Sequence, residues 1–372
     1  MKPSSQKLTN KVKAYRTEKG LSQVQLAELV GVKRQAIYDI ESGKYAPNTL
    51  IALRLAQHLS CRVEDLFCEE SKTAEPYTLV GTLPSQRARV SLARVRGQMI
   101  AYPLPGSEPF ANTFEAADAL LTPGQKQVEL LCPPETPDKT LILLGCDPAF
   151  ALLTAHVTRR AKDIRLQYRF ASSFKALKGL AAGHAHIAGT HIHSSASGHG
   201  NNIQFAKKQL GQQSATIVGF SRIEEGLVVA PGNPHGIRSL EDLANPKVRL
   251  VNREPGAALR ILLDDLLQKQ GLPPEAISGY QDEVHSHVEG VVRVLYKQAD
   301  AALGFRAIAA NAGLDFVPLT SAHCELVVPQ DLLEQQGMQM LLDALQTKPL
   351  RDELKSLAGY DAESTGSIIA EI

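Results

Sequence analysis

Five histidines fall within sixteen residues: His184, His186, His191, His193 and His199. In an extended segment His191 and His193 point the same way, and His285 and His287 repeat that spacing. Two imidazoles on one side of a strand can share a transition metal, but a site needs three or four converging ligands. No cysteine or carboxylate joins these histidines at metal-ligand spacing. They read first as polar loop residues that hydrogen-bond an organic ligand, with a transition-metal sensor built on residues 184–199 as the alternative. A second kind of chemistry sits at GCDPAF. Asp147 is placed as an N-cap and Pro148 at N1 of a helix that follows an apolar run. A helix starting at the carboxyl end of a strand aims N–H groups and partial positive charge outward, so small ligands, and anions especially, bind there. NREPGAALR (252–260), HSHVEG with Ser286 as cap, and the loop GTHIHSSASGHGNN (189–202) are three further turns of this kind. Four such turns converging on one cleft describe a bilobed binding unit.

Nucleophilic chemistry is weaker. Ser194, Ser195, His191 and Asp147 could form a nucleophile set, yet the chain has no GxSxG, P-loop, HExxH, or GxGxxG after a strand, so no enzyme is expected. Cys146 beside a helix start could be an acidified, redox-sensing thiol, or simply a small buried residue.

Charge separates the chain into two parts. Residues 1–62 hold 11 Lys/Arg against 4 acids, net +7, while the remaining 310 hold 29 against 35, net −6. The total of +1 over 372 residues hides a basic contact module joined to an acidic body. No run of about 18 apolar residues spans a membrane, and the first residues lack the apolar core of a secretory signal. Five scattered cysteines without a CxxC pair fit reduced thiols in a cytoplasm. With no Trp and 5% aromatics, stacking platforms for single-stranded nucleic acid are not expected.

The elements that must position these residues follow from periodicity. Residues 9–67 read as five short helices. Ser22 and Gln25 form a capping box before Gln23–Leu29, and Gly31 breaks that helix. A third runs from about Lys33 to Ser42 with Gly43 at C′, a fourth opens at Pro47–Asn48, and Val63–Phe67 closes the set. EESKTAEPYTLV (69–80) reads as a linker, and 81–140 as short strands. From 141 onward strands and helices alternate, which predicts parallel sheets with helices on both faces. ATIVGF, GLVVA, DFVPL and CELVVP read as separate strands, SLEDLA as a helix, and the last fifteen residues as frayed.

Two helices meeting at Gly31, the second opening on donor-rich residues, meet the needs of a helix entering the DNA major groove. LSQVQLAELVGVKRQAIYDIESGKYAPN (21–48) closely resembles the helix-turn-helix of the phage-repressor-like Xre family. The resemblance covers about residues 8–67, with Ala27, Gly31, Ile37, Glu41 and Gly43 at the family's positions. It implies that Gln23 touches a phosphate and that Arg34, Gln35 and Asp39 face base edges. It also implies that Tyr38 meets a thymine methyl or sugar, and that Lys33, Lys44 and Asn48 hold phosphates. Arg16 and Glu41 match the family's buried ion pair.

HIAGT, the NREPG turn and ADAALGFRAIAANAGLDFVPL resemble, in order and spacing over 141–330, the periplasmic-binding-protein-like domain of molybdate-type binding proteins. The resemblance implies an α/β bilobed type-II fold, one ligand between the lobes, and crossover strands near 215–230 and 320–328 as hinge. The residues expected on the ligand are Cys146, Asp147, Thr190, His191, His193, Asn202, Asn252, Arg253, Gly256, Ser286, His287 and Arg306. Relatives often carry hydroxyls after the Asn-Arg pair. Here Gly256, Ala257, Ala258 and Leu259 offer none, and Asp147 would repel an anion, so an organic or sulfur-containing molecule stands beside molybdate.

The expected layout is multi-domain: an all-α helix-turn-helix unit (1–68), a linker and β segment (69–140), the α/β ligand unit (141–330), and a C-terminal helix and tail (331–372). The expected function is a cytoplasmic, homodimeric regulator that binds double-stranded DNA and a small-molecule or oxyanion effector. No resident cofactor, membrane or catalytic residue is expected.

Overall fold

The computed structural model describes residues 8–69, 76–82, 87–104, 115–122, 128–192 and 200–372. The chain divides into two compact units, Met1–Glu75 and Pro76–Ile372.

The first unit runs β1 (Leu8–Asn10), α1 (Val12–Glu18), α2 (Gln23–Val30), α3 (Arg34–Glu41), α4 (Thr49–Leu59), α5 (Val63–Leu66), β2 (Phe67–Glu69). Local chemistry sets its boundaries. The Ser22 hydroxyl accepts from Gln25 N while Gln25 accepts from Ser22 N, closing the capping box of α2. Gly31 ends α2 at φ +76°, a left-handed conformation that glycine adopts without strain. Asn48 caps α4 by accepting from Ile51 N at 3.0 Å. Val12, Leu26, Val30, Ile37, Ile40, Leu55, Leu59 and Leu66 recur at helical spacing and form the core. Leu50 and Leu53 of α4 stay exposed. The antiparallel pairing of β1 with β2 departs from the all-helical expectation. Three residues per strand are too few to display alternation in a sequence.

In the second unit β3 (Tyr77–Leu79), β4 (Ala88–Val95), β5 (Gln98–Leu104), β6 (Ala119–Leu121) and β7 (Val128–Leu130) form a sheet ordered β3-β5-β4-β6-β7. The rest runs β8 (Thr140–Gly145), α6 (Phe150–Arg160), β9 (Arg165–Phe170), α7 (Ser173–Ala181), β10 (Ile187–Thr190), α8 (Gly200–Leu210), β11 (Ala215–Val229), β12 (Leu250–Arg253) and α9 (Ala258–Gln270). It continues β13 (Glu283–Val284), α10 (His287–Leu295), β14 (Ala301–Phe305), α11 (Arg306–Asn311), β15 (Asp315–Pro329), α12 (Gln336–Leu345), α13 (Lys348–Ser356), β16 (Tyr360–Asp361) and β17 (Ile368–Glu371).

Among the described residues the larger sheet is ordered β13-β12-β14-β11-β15-β10-β8-β9. It is not uniformly parallel. β8, β9 and β10 form one parallel block and β12, β13 and β14 another. The long antiparallel pair β11–β15 joins them, through β14 on one side and β10 on the other. The strands expected as ATIVGF and GLVVA are one fifteen-residue strand, as are DFVPL and CELVVP. The polar run SRIEE looks like a turn in the sequence, but Ser221, Ile223 and Glu225 alternate inward along a continuous strand. Register shifts at Gly219/Ser221 and Glu225/Gly226 mark irregularities where it bends. SLEDLA forms only a 3-10 turn, Glu241–Ala244. The tail is not frayed: β16 and β17 pair with β11.

The small sheet is fastened to the β8–β10 block. Ala93, Val95, Ile100 and Tyr102 pack with Ile142, Leu144 and Leu177. The carboxylate of Asp118 receives Arg165 Nη1 at 2.5 Å, Arg165 Nη2 at 2.6 Å and Leu92 N at 2.7 Å. Those donors compensate its burial.

Candidate functional site

In the first unit the start of α3 is open. Lys33, at its N-cap, makes no capping bond with its side chain. Lys33, Arg34, Gln35 and Tyr38 are exposed. A groove of about 800 Å³ runs along this helix, lined by Lys33, Gln35, Asp39, Lys44 and Tyr45 among others. Gln35 Nε2 donates to Asp39 Oδ1 at 3.0 Å, so the acid on this face orients its neighbour one turn earlier. Lys44 Nζ lies 5.4 Å from the centroid of the Tyr38 ring, a cation–π approach.

Two residues expected on phosphates are engaged within the protein. Gln23 Nε2 donates to Glu41 Oε2 at 2.8 Å, and the Asn48 side-chain oxygen caps α4. Arg16 Nε donates to Glu41 Oε1 at 2.5 Å, forming the expected ion pair. Burial opposes the charge on Glu41, but the hydrogen bonds from Arg16 and Gln23 prevail and hold its pKa below the ordinary value.

In the second unit six side chains from six places converge: Cys146 after β8, His191 after β10, Glu225 on β11, Arg253 ending β12, His287 opening α10 and Phe305 ending β14. All six are buried. Cys146 Sγ lies 3.3 Å from His191 Nδ1, and His191 Nε2 lies 3.4 Å from Glu225 Oε1. The Ser173 hydroxyl holds the His191 backbone from both sides, accepting from its N–H and donating to its carbonyl, each at 3.0 Å. Burial pushes the Cys146 thiol pKa up, which argues against the acidified thiol.

Arg253 Nη1 lies 3.1 Å from His287 Nδ1. Arginine can only donate, so His287 accepts there and carries its own proton on Nε2. Burial first, then the charge of Arg253, keeps the His287 pKa well below the usual range. Phe305 lies between the two imidazoles, with ring centroids 4.0 Å from His287 and 5.8 Å from His191. It is also the register partner of Glu225 across the β11–β14 pair.

Other expected ligand residues take different roles. Asp147 is not the N-cap; Ala149 is. Its carboxylate accepts from Ala149 N at 2.8 Å, Ser221 Oγ at 3.0 Å and Tyr360 Oη at 2.6 Å. Full burial raises its pKa despite those bonds. The turn is tight because Phe150 lies across glycines of two neighbouring strands. A β-carbon at Gly145 or Gly189 would come within 2.5 or 2.3 Å of its ring. Asn252 Nδ2 donates to Tyr280 O at 3.0 Å, and Asn202 Nδ2 to His323 O at 2.8 Å. Thr190 Oγ1 faces Glu325 O at 3.5 Å. Ser286 caps α10 as expected, accepting from Glu289 N at 3.0 Å. Gly256 takes φ +87° in the turn before α9. Arg306 pairs with Glu224 at 2.8 Å rather than joining the six. Glu224 and Glu225 point to opposite faces of their strand.

His193 lies outside the described residues, as do Ser194, Ser195 and His199. The remaining histidine pairs diverge. His186 is buried elsewhere, its Nδ1 accepting from Ile142 N and its Nε2 facing Arg94 O, and burial lowers its pKa to about 4. His285 is exposed while His287 is buried, because α10 starts between them. Among the described residues no three His, Cys, Asp or Glu side chains group as metal ligands. No helix of the described residues is long and apolar enough to cross a membrane.

The sequence reading missed Glu225, Phe305, Ser173 and Tyr360. Glu225 left a trace, two acids inside an apolar strand, whereas Tyr360 reaches Asp147 from 213 residues away and left none.

Comparison with known proteins agrees with this two-part arrangement. The PBP superfamily domain matches residues 154–346, more than half of the chain, and the helix-turn-helix family matches residues 12–66. YvgK of Bacillus subtilis is 28% identical over 246 residues, covering 66% of this chain and 78% of that protein. The HTH-type transcriptional regulator YgzD of the same organism is 43% identical over 65 residues, covering 18% of this chain and 98% of that protein. Among solved structures, a phosphate-transporter substrate-binding protein from Clostridium perfringens aligns with a TM-score of 0.45 and 11% identity. It covers 58% of this chain and 96% of that one. The effector-binding domain of QuiR, in complex with shikimate, aligns at 0.43 and 15%, covering 59% and 98%. Neither structural likeness bears on what this chain binds. The chain belongs to the PBP superfamily and carries an Xre-type helix-turn-helix domain at its N-terminal end.

Proposed function

We propose that this chain is a transcription regulator. Its helix-turn-helix unit reads operator DNA, and its two-lobed unit binds a small molecule that changes DNA affinity. The observation that carries the reading is the joining, in one chain, of an exposed, donor-rich helix start at Lys33–Gln35 to six buried side chains converging at strand ends. In this reading Arg34 reads guanine and Gln35 reads adenine, with Asp39 holding the Gln35 amide in register. Lys33 and Lys44 hold phosphates, and Tyr38 meets a sugar or thymine methyl. Two copies bind half-sites about 34 Å apart, one helical turn. The effector sits against His191, Glu225, Arg253 and His287 and shifts the population between arrangements of the two strand blocks about β11 and β15. By linkage, DNA then changes effector affinity by the same factor. No step of this account is catalytic, and the protein acts in the cytoplasm.

The test is selection of bound duplexes from a random pool, followed by anisotropy titrations over a range of salt. The reading expects a preferred sequence and a logarithmic affinity that falls linearly with the logarithm of salt. A chain that selects no duplex and shows no salt-dependent binding contradicts it.

A further inference from the structure

We propose that the face formed by α7 and α8 is a second DNA-contact surface, which holds the phosphate backbone beside the operator without reading its sequence; this rests on the regulator reading above. The second unit is acidic as a whole but not throughout. The 60 residues from Ile164 to Ile223 contain no Asp or Glu, against seven Lys/Arg. The rest of the chain after residue 62 holds 22 Lys/Arg against 35 acids, net −13. A charge of +7 is thus gathered in one tract of an otherwise acidic body. The three arginines of that tract are engaged within the protein: Arg165 with Asp118, Arg169 with Glu115 and Arg222 with Ser321. The four lysines are not.

The fold brings those lysines to one surface. α7 and α8 pack side by side. Ala176, Leu177 and Leu180 share a core cluster with Ala206 and Leu210, the ring centroids of Phe174 and Phe205 are 6.5 Å apart, and Gln213 Nε2 donates to Ala181 O at 3.0 Å. With the cluster residues turned inward, Lys175, Lys178, Lys207 and Lys208 stand exposed. Among the described residues none of the four pairs with a carboxylate. Arg96, which comes near the end of α7 at Gly183, is neutralised by Asp331. Helix polarity explains only part of the pattern. Lys178, Lys207 and Lys208 lie in last turns, where cations are favoured. Lys175 lies in the first turn of α7, where the dipole opposes a cation, and polarity does not keep acids off both helices.

The chemistry fits a phosphate backbone. Lysine is a hydrated point charge on a flexible stem, without the planar fork by which arginine selects a carboxylate or a guanine. Four lysines on an open surface supply position and affinity, not sequence. A chain that holds the operator through its first unit also keeps phosphates at high effective concentration around the second, so individually weak contacts add to the whole.

The test compares the full chain with a variant carrying Lys175→Gln, Lys178→Gln, Lys207→Gln and Lys208→Gln. Anisotropy titrations over a range of salt use the duplex selected from the random pool and an unrelated duplex. We expect the variant to bind both more weakly, by the same factor of about ten or more at low salt, and to keep its sequence preference. The salt slope should fall by about 2–4, since each lysine on a phosphate contributes about 0.9. Arginine at the same four positions should restore both. Acetylation of the wild-type chain, read by mass spectrometry, should show the four lysines protected when DNA is bound, and this holds even where the glutamine variant fails to fold. Equal acetylation with and without DNA, or an unchanged slope in the folded variant, overturns the proposal. So does a variant that loses self-association while its DNA affinity stays the same, which assigns the face to the acidic surface of a second copy. The two readings fail separately. A chain that prefers one duplex with a slope insensitive to the four lysines keeps the regulator and loses this surface. A chain without sequence preference whose binding still depends on those lysines keeps this surface and removes the operator reading.

Discussion

The start of α3 and the start of α10 present opposite faces of the same physics. Both are helix N-termini, where backbone N–H groups lack intrahelical partners and attract negative charge. At α3 the N-cap is Lys33, with no side-chain cap, and Arg34 and Gln35 stand exposed beside it. At α10 the cap is Ser286, Glu289 closes back onto His285 N, and the neighbouring arginine is wrapped by Glu254. One terminus is left open to an anion and the other is filled with the protein's own acceptors. The net charges of +7 before residue 63 and −6 after it express the same division along the chain. Fold alone does not decide what a helix terminus binds; the local supply of acceptors does.

The largest expected effect separates scaffold from reader within the first unit. Arg16→Ala leaves Glu41, whose side chain is 4% exposed, without its cation. It should destabilise that unit by about 3–5 kcal/mol, seen as an earlier first transition in urea with the second unit's transition unmoved. A smaller loss would mean that Gln23 alone sustains Glu41.

Next is the pH response of the second unit. Burial holds the His186 pKa near 4, below its unfolded value. Between those values the unfolded chain binds a proton that the folded chain does not. The His186 contribution is therefore complete above about pH 6.5 and is lost as pH falls toward the folded pKa, up to about 3 kcal/mol. Chemical denaturation across that window checks it, and His186→Gln should flatten the slope. A slope unchanged in that variant assigns the acid sensitivity to another group.

Arg34→Ala should leave stability within about 0.5 kcal/mol, since an exposed side chain is lost. It should cost about 1–3 kcal/mol at the one base pair it reads, measured by competition between operator variants. Lys44→Ala should have the smallest effect, weakening all sequences alike and lowering the salt slope by about 1. If both substitutions weaken every sequence equally, α3 is a phosphate clamp and not a reader.

The helices of the first unit were legible because their signals are local: Ser22 with Gln25, Gly31, Asn48, and apolar residues at helical spacing. The alternation after residue 141 was legible for the same reason. What the sequence hid is non-local. The β11–β15 pair joins residues about a hundred positions apart, and the polar residues in the middle of β11 disguise one strand as two. The convergence of the six buried side chains was partly legible: Cys146, His191, Arg253 and His287 came from strand-end position. Asp147 was misplaced because its acceptors are filled by Ser221 and Tyr360, which only the folded chain brings near. Arg306 was misplaced because strand alternation puts its partner, Glu224, on the face away from Glu225.

Hydrogen exchange of the full chain, alone, with a duplex selected from a random pool and with molybdate, tests the central contrast most directly. The account predicts that DNA slows exchange at residues 31–44 and that molybdate leaves residues 145–149 and 285–290, where the protein's own acceptors take the N–H groups, unchanged. Protection of those turns by molybdate, or no change at 31–44 with DNA, would contradict it.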